Sequence, residues 1–183
     1  MKQKGLTENI EIPAGIEVNI VNNIIKIKGS KAELLKKLHR ISAKKEGNKI
    51  VLSVPEDSRR SKDVLNANIA NINNMIKGSN ENYVYKLKVC SGHFPMTVTI
   101  EKEKVIVKNF LGEKLPRIAR ILPGVTVKSS GDLISVESND KDKAGQVSAN
   151  IEIATRIPNK DRRVFQDGIF LIEKAGEPIK WKQ

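Results

Sequence analysis

The tripeptide Ala-Asn-Ile occurs at Ala67–Ile69 and again at Ala149–Ile151, 82 positions apart, and Ser-Val recurs at the same offset, at Ser53-Val54 and Ser135-Val136. One such echo is chance; a repeat that stays in phase through its surroundings is not. Ile16, Val18 and Ile20 alternate with polar residues, and Ile25 and Ile27 resume after Val21-Asn22-Asn23-Ile24. Period-two alternation on both sides of an Asn-Asn pair predicts a β-hairpin with one buried face. At an offset of 80, Met96, Val98 and Ile100 alternate in the same way, and Val105 and Val107 follow Glu-Lys-Glu-Lys. Lys28 recurs as Lys108 and Glu33 as Glu113. The rise of the offset from 80 to 82 is what two residues of loop insertion would produce.

Next in each copy comes a short apolar strand, Ile50–Val54 and Asp132–Val136, and after it a helix signal. In the first copy Pro55 stops the strand, and Asp57 or Ser58 can cap the helix. Leu65, Ile69, Ile72 and Ile76 then fall at spacings of one helical face. Gly78 is placed to supply the left-handed residue that commonly closes a helix. In the second copy Asn139 or Asp140 caps, and Ala144, Val147, Ile151 and Ala154 form the matching stripe. Both stripes read as core.

A chain that runs hairpin, strand and helix twice in one order is a tandem duplication. Each copy folds antiparallel strands onto one late helix, an α+β arrangement. The first repeat is expected over residues 10–77 and the second over 83–155, with residues 78–83 as connector. Residues 156–183 form a basic C-terminal tail without a counterpart in the first repeat.

Charge narrows the function. Across 183 residues, 33 Lys and Arg face 21 Asp and Glu, a formal net charge of +12 with pI near 9.8. A field of that sign attracts polyanions: nucleic acid or an acidic membrane surface. Residues 1–80 carry 15 basic against 8 acidic side chains, residues 81–155 carry 11 against 9, and the tail carries 7 against 4. The positive field therefore belongs to the first repeat and the tail. In the first repeat Lys26 and Lys28 point away from the inward Ile25 and Ile27, and Lys31, Lys36, Lys37 and Arg40 follow closely. In the tail Lys160, Arg162 and Arg163 stand beside Phe165 and Gln166, with Arg156 at its start. Arginine forks suit phosphate oxygens, and an aromatic or amide side chain can stack on or bond to a base.

Catalytic and metal chemistry are hard to assemble. Cys90-x-x-His93 has half of a zinc spacing, and no second Cys or His pair completes it. Asp140 and Asp142 open a helix, where acids complement the macrodipole. No phosphate-cradling glycine motif occurs. No apolar run reaches the roughly 20 residues that span a bilayer, and the N-terminus offers no apolar segment as a signal peptide. The single cysteine fits a reducing cytoplasm. No metal and no cofactor are expected. Two alternatives stay open: a nucleic-acid-processing enzyme using this fold as its RNA-binding arm, and a peripheral membrane protein. The second lacks an amphipathic helix with bulky apolar anchors.

The chain resembles the large-subunit ribosomal protein six family, the universal "L-six" family, in its archaeal and eukaryotic branch. The resemblance rests on IPAGI at Ile12, INNMIKG at Ile72, HFP at His93, NFLGEK at Asn109, DKDKAGQVSANIE at Asp140 and NKDRRVFQDGIF at Asn159. The Pro-Tyr-Lys-Gly-Lys-Gly-Ile tail of bacterial members is absent. The resemblance implies two tandem copies of one α+β fold and no enzymatic activity. It implies binding to large-subunit ribosomal RNA near the sarcin-ricin loop, where translation factor GTPases dock, among neighbouring ribosomal proteins in the cytoplasm. By that likeness the tail lies against RNA, with Lys160, Arg162 and Arg163 on phosphates and Phe165 and Gln166 on nucleotides or bracing the tail. Arg156, Lys28 and Lys31 complete the expected contact set.

Overall fold

A computed structural model describes residues 5–161 and 163–179. Two compact units divide between Glu81 and Asn82.

In the first unit β2 (Glu17–Val21), β3 (Ile24–Lys28) and β4 (Glu33–Lys37) form one antiparallel sheet. A second sheet has the order β1 (Leu6–Glu11), β6 (Lys49–Val54), β5 (Ser42–Glu46). The β2–β3 turn is the Asn-Asn pair: Asn22 and Asn23 have φ of 49° and 60°. Two consecutive left-handed residues match the twist of the flanking strands, and asparagine tolerates that conformation better than most residues. Val18, Ile25, Ile27, Ile50, Leu52 and Val54 point inward and are buried against α1 (Arg59–Asn80). On α1, Leu65, Ile72 and Ile76 are buried, and Ile69 is half-buried at the edge of the same core.

Ser58 caps α1, its hydroxyl accepting the Ser61 amide at 3.2 Å. The far end departs from the expected glycine stop. Gly78 is helical and buried, and α1 runs on to Asn80. The reason lies in another part of the chain: the Ser79 carbonyl accepts the amides of Lys31 and Ala32 at 3.0 and 3.3 Å. With its terminal carbonyl satisfied by the β3–β4 loop, the helix needs no left-handed closure. Gly29 permits this approach; a Cβ there would lie 2.7 Å from the Ser79 carbonyl oxygen. The connector shrinks to Glu81 and Asn82, because β7 begins at Tyr83.

The second unit repeats the plan. β8 (Thr97–Ile100), β9 (Lys104–Lys108) and β10 (Arg117–Arg120) form one sheet. A five-stranded sheet has the order β11 (Thr126–Ser130), β12 (Leu133–Ser138), β7 (Tyr83–Cys90), β13 (Gly168–Lys174), β14 (Glu177–Pro178). Asp140 caps α2 (Lys141–Ala154), accepting the amides of Asp142 and Lys143. Ala144, Val147 and Ile151 are buried beneath it.

Strand register shows how the copies correspond. Val18 pairs with Ile27 and Val98 with Val107, an offset of 80 on both strands. The Ser-Val echo, however, is not an equivalence. Leu6 faces Val54 at the end of β6, and the corresponding pair is Tyr83 and Ser138, so β6 and β12 are 84 apart. The offset returns to 82 at the caps, Ser58 and Asp140, because the loop after β12 is two residues shorter. A slip of two leaves the inward face inward, which is why the echo looked in phase. Nor is Glu113 the counterpart of Glu33: Glu33 opens β4, whereas Glu113 lies in the longer β9–β10 connection.

Residues set apart as a tail in the sequence contribute two of the five strands. β13 pairs antiparallel with β7, Ile169 opposite Val89 and Leu171 opposite Leu87, with a bulge between Leu171 and Glu173. In the first unit the corresponding strand, β1, ends its sheet. Ile169 is fully buried in the core of the second unit.

Candidate nucleic-acid interface

The segment from residue 156 to residue 167 links α2 to β13 and is anchored at both ends. At its start, Thr155 accepts the Ile169 amide on its buried hydroxyl at 2.9 Å. Arg117 of β10 holds the exit from α2: its Nη1 donates to the carbonyls of Ala154 and Arg156 at 3.0 and 2.9 Å. The same guanidinium forks onto Glu113 at 2.8 and 2.6 Å and lies 4.3 Å above the Phe110 ring. The hydrogen bonds from Arg117 hold the Glu113 carboxyl below the usual range, against a smaller opposing effect of burial. Phe110 is buried in a short 3-10 turn flanked by left-handed Asn109, and Asn109 donates to the Pro95 carbonyl at 2.9 Å.

The other end is held by Asp167, which is 2% exposed. Its Oδ1 accepts the amides of Gly92 and His93 at 2.6 and 2.9 Å, and its Oδ2 meets His93 Nδ1 at 2.5 Å. Burial by itself would raise this carboxyl's pKa. The bonds from the His93 amide and ring and the Gly92 amide outweigh it and keep the group below its ordinary range. The His93 ring stacks on Phe165, centroids 5.0 Å apart and planes 26° from parallel. Lys160 Nζ sits 4.4 Å from the centre of the same Phe165 ring, a cation–π contact. Between the anchors, the amides of Val164 and Phe165 donate to the Asp161 carbonyl at 3.1 and 2.9 Å, making a tight turn. The result is a cationic loop on rigid supports.

The sequence profile of the family described as Ribosomal protein L6 matches two segments, residues 12–81 and 94–168. The chain belongs to the ribosomal protein L6 family. It is 45% identical over 177 residues to the large ribosomal subunit protein uL6 of Sulfurisphaera tokodaii, covering 95% of each chain. To uL6 of Methanococcus vannielii it is 40% identical, covering 95% of this chain and 97% of the other. To uL6 of Aeropyrum pernix it is 39% identical, covering 94% and 97%. These relatives are archaeal, and the chain falls in that branch of the L6 family.

In this L6 chain the expected site residues are distributed as follows. Lys160, Arg163, Phe165 and Gln166 share the anchored loop, and Arg156 stands exposed where it leaves α2. The Arg163 side chain is 93% exposed and reaches Asp161 at 3.5 Å. Gln166 donates to the Arg163 carbonyl at 3.3 Å, so it braces the turn. Phe165 is half-buried with its ring against His93 and Lys160, which makes it a support. Arg162 lies outside the described residues. Lys28 and Lys31 belong to the first unit, Lys28 exposed on β3 and Lys31 donating its amide to the end of α1. Their neighbour Lys26 is ion-paired with Glu33 at 2.6 Å.

Three residues that matter here were absent from the expected set: His93, Asp167 and Arg117. His93 and Asp167 both sit inside quoted motifs, HFP and NKDRRVFQDGIF, but nothing local joins positions 74 apart. Among the described residues no group of three His, Cys, Asp or Glu side chains is placed to hold a metal ion. Among them, too, no helix is long and apolar enough to cross a membrane.

Proposed function

We propose that this protein binds large-subunit ribosomal RNA through the anchored loop of its second unit, near the sarcin-ricin loop and the region where translation factor GTPases dock. As a member of the L6 family it is a structural component of the large ribosomal subunit in the cytoplasm, not an enzyme. In this reading, residues 10–77 and 83–155 are the duplicated scaffold and residues 156–183 carry the specialised contacts. Neighbouring ribosomal proteins and the docking GTPases complete the surroundings.

One observation carries the assignment to this loop. Lys160, Arg163 and Arg156 protrude from a segment pinned by Arg117 at one end and by buried Asp167 at the other. With the backbone already held, phosphate binding does not have to order the loop itself, so the backbone that presents these cations is preorganised for a backbone ligand. Arg163 supplies the fork that phosphate oxygens match.

Phosphate contacts release counterions, so log affinity falls linearly with log salt, by roughly 0.7 to 0.9 per contact. Replacing Lys160 and Arg163 with Ala is expected to weaken binding to an RNA fragment containing the sarcin-ricin loop and to flatten that slope by about 1 to 2 units. The control is Lys102, Lys104 and Lys108 to Ala. Acidic residues interleave those lysines, and Lys104 is paired with Glu101 at 3.2 Å. Equal losses from both sets would reduce the effect to bulk charge. An unchanged slope in the loop variant would place the RNA elsewhere.

A further inference from the structure

The anchored loop brings a titratable ring to its surface that a count of lysines and arginines leaves out. His93 follows β7, and its side chain is 39% exposed. Asp167 beneath it takes three donors: two backbone amides on one oxygen and the ring on the other. An ionised carboxylate in that position can only accept, so Nδ1 carries a proton and donates. The ring's tautomer is thereby set. Its remaining nitrogen, Nε2, is a lone pair when the ring is neutral and an N–H donor when it is charged. Among the described residues no partner other than Asp167 bonds to the ring. Stacking on Phe165 stops the imidazole from swinging away without losing both contacts.

Among the described residues, the charged and titratable groups around the ring come from the anchored loop and from β7. Asp167 lies beneath it, Lys160 reaches Phe165 from the start of the loop, and Cys90 at the end of β7 lines the same cleft. Arg163 and Asp161 offset one another on the turn. A neutral His93 leaves the Asp167 anion without a cationic partner; a charged one completes the pair and turns a second donor outward.

We propose that His93 is a phosphate-binding residue of this surface, donating Nε2–H to an RNA phosphate oxygen as an imidazolium whose other face of charge is the buried Asp167 carboxylate. The inference rests on the RNA-binding reading above. Where the free ring is neutral it turns a lone pair toward phosphate, and binding then takes up one proton from solvent onto Nε2. Asp167 acts as a positioning residue, setting the tautomer and supporting the cation.

Proton uptake has a measurable signature. If binding takes up one proton, affinity falls by up to about tenfold per pH unit as pH rises through the range near 5 to 8 where imidazoles change charge. The experiment measures Kd of the full chain for the sarcin-ricin-loop RNA fragment across that range at constant ionic strength. The variants are His93→Asn, Asp167→Asn and Lys160→Ala/Arg163→Ala. His93→Asn keeps an amide donor for Asp167 but has no group at Nε2. It is expected to match wild type at the alkaline end and fall behind at the acid end, with a flat profile. Asp167→Asn keeps an oxygen for the two amides but turns an N–H toward Nδ1, so the neutral ring carries its proton on Nε2 and donates to phosphate without proton uptake. Its pH dependence is expected to be lost, a result that stands even if His93→Asn disturbs the local fold; a wild-type pH profile in this variant would overturn the positioning role of Asp167. The double variant is expected to lose affinity at every pH while keeping the wild-type pH slope. Should the double variant lose affinity while His93→Asn keeps the wild-type pH profile, the phosphate role of His93 is overturned and the loop remains the RNA surface. Should the double variant bind as wild type does, both readings fall.

Discussion

Replacing Asp167 with Ala tests whether the loop is held by its buried carboxylate. Three hydrogen bonds to an ionised acceptor disappear, from the Gly92 amide, the His93 amide and His93 Nδ1. Bonds of that kind are worth roughly 1.5 to 3 kcal/mol each. Gly92 and His93 are exposed residues whose freed donors regain water, so the net expected cost is about 2 to 4 kcal/mol. Asp167→Asn keeps an acceptor for the two amides and should cost less, about 1 to 2 kcal/mol. The effect has a pH dependence of defined sign. The folded-state pKa lies below the ordinary aspartate value of 3.8, so the unfolded chain binds this proton more readily. The stabilisation is therefore complete above that ordinary value and is lost as pH falls through the lower, folded-state value. Urea unfolding, followed by NMR of the Ile134 and Ile169 methyl groups, reports the second unit alone, since both side chains are buried in its core. The difference between wild type and Asp167→Ala should be full near neutrality and shrink below about pH 4. A difference that is negligible at neutral pH, or that does not shrink on acidification, would refute the role assigned to this carboxylate.

Cavity-forming changes should follow burial. Ile151→Ala, at a fully buried position, is expected to cost about 2 to 5 kcal/mol, whereas half-buried Ile69→Ala should cost roughly 1 to 2. Equal costs in denaturant unfolding would mean the two helical stripes were wrongly ranked. Gly29→Ala should destabilise the first unit by about 1 to 3 kcal/mol, because its Cβ meets the Ser79 backbone oxygen. A wild-type midpoint for that variant would show that the β3–β4 loop does not cap α1 as described. Arg117→Lys keeps the charge but loses the fork onto Glu113, the pair of bonds to the carbonyls at the end of α2 and the stack on Phe110. About 1 to 3 kcal/mol should be lost, with faster amide exchange at the loop's start; unaltered exchange there would sink the anchoring role.

Much of the scaffold was legible because it depends on neighbours a few residues away. Ile25 and Ile27 face inward through the two-residue period of a strand, and Leu65, Ile72 and Ile76 share a face through the helical period. Asn22-Asn23 turns because asparagine accepts left-handed backbone. Ser58 and Asp140 cap because their side chains reach their own amides two or three positions on. The candidate loop was legible only as composition. Lys160 and Arg163 stand out as cations in any reading, but Phe165 looked equally suited to stacking on a base and to bracing the tail.

Sequence by itself determined the duplication, the inward faces and the basic character of the last segment, since each follows from backbone period or from simple charge. Tertiary structure decided the rest. Helix α1 passes Gly78 because amides from the β3–β4 loop reach the Ser79 carbonyl. The tail becomes a strand because β7 offers it an edge at Ile169 and Leu171. Phe165 becomes a support because His93 and Asp167 arrive from opposite ends of the second unit to lock it. Each of these outcomes depends on a donor, an acceptor or a buried surface supplied from a distant part of the chain, and the free energy of such a contact exists only once folding has closed the distance.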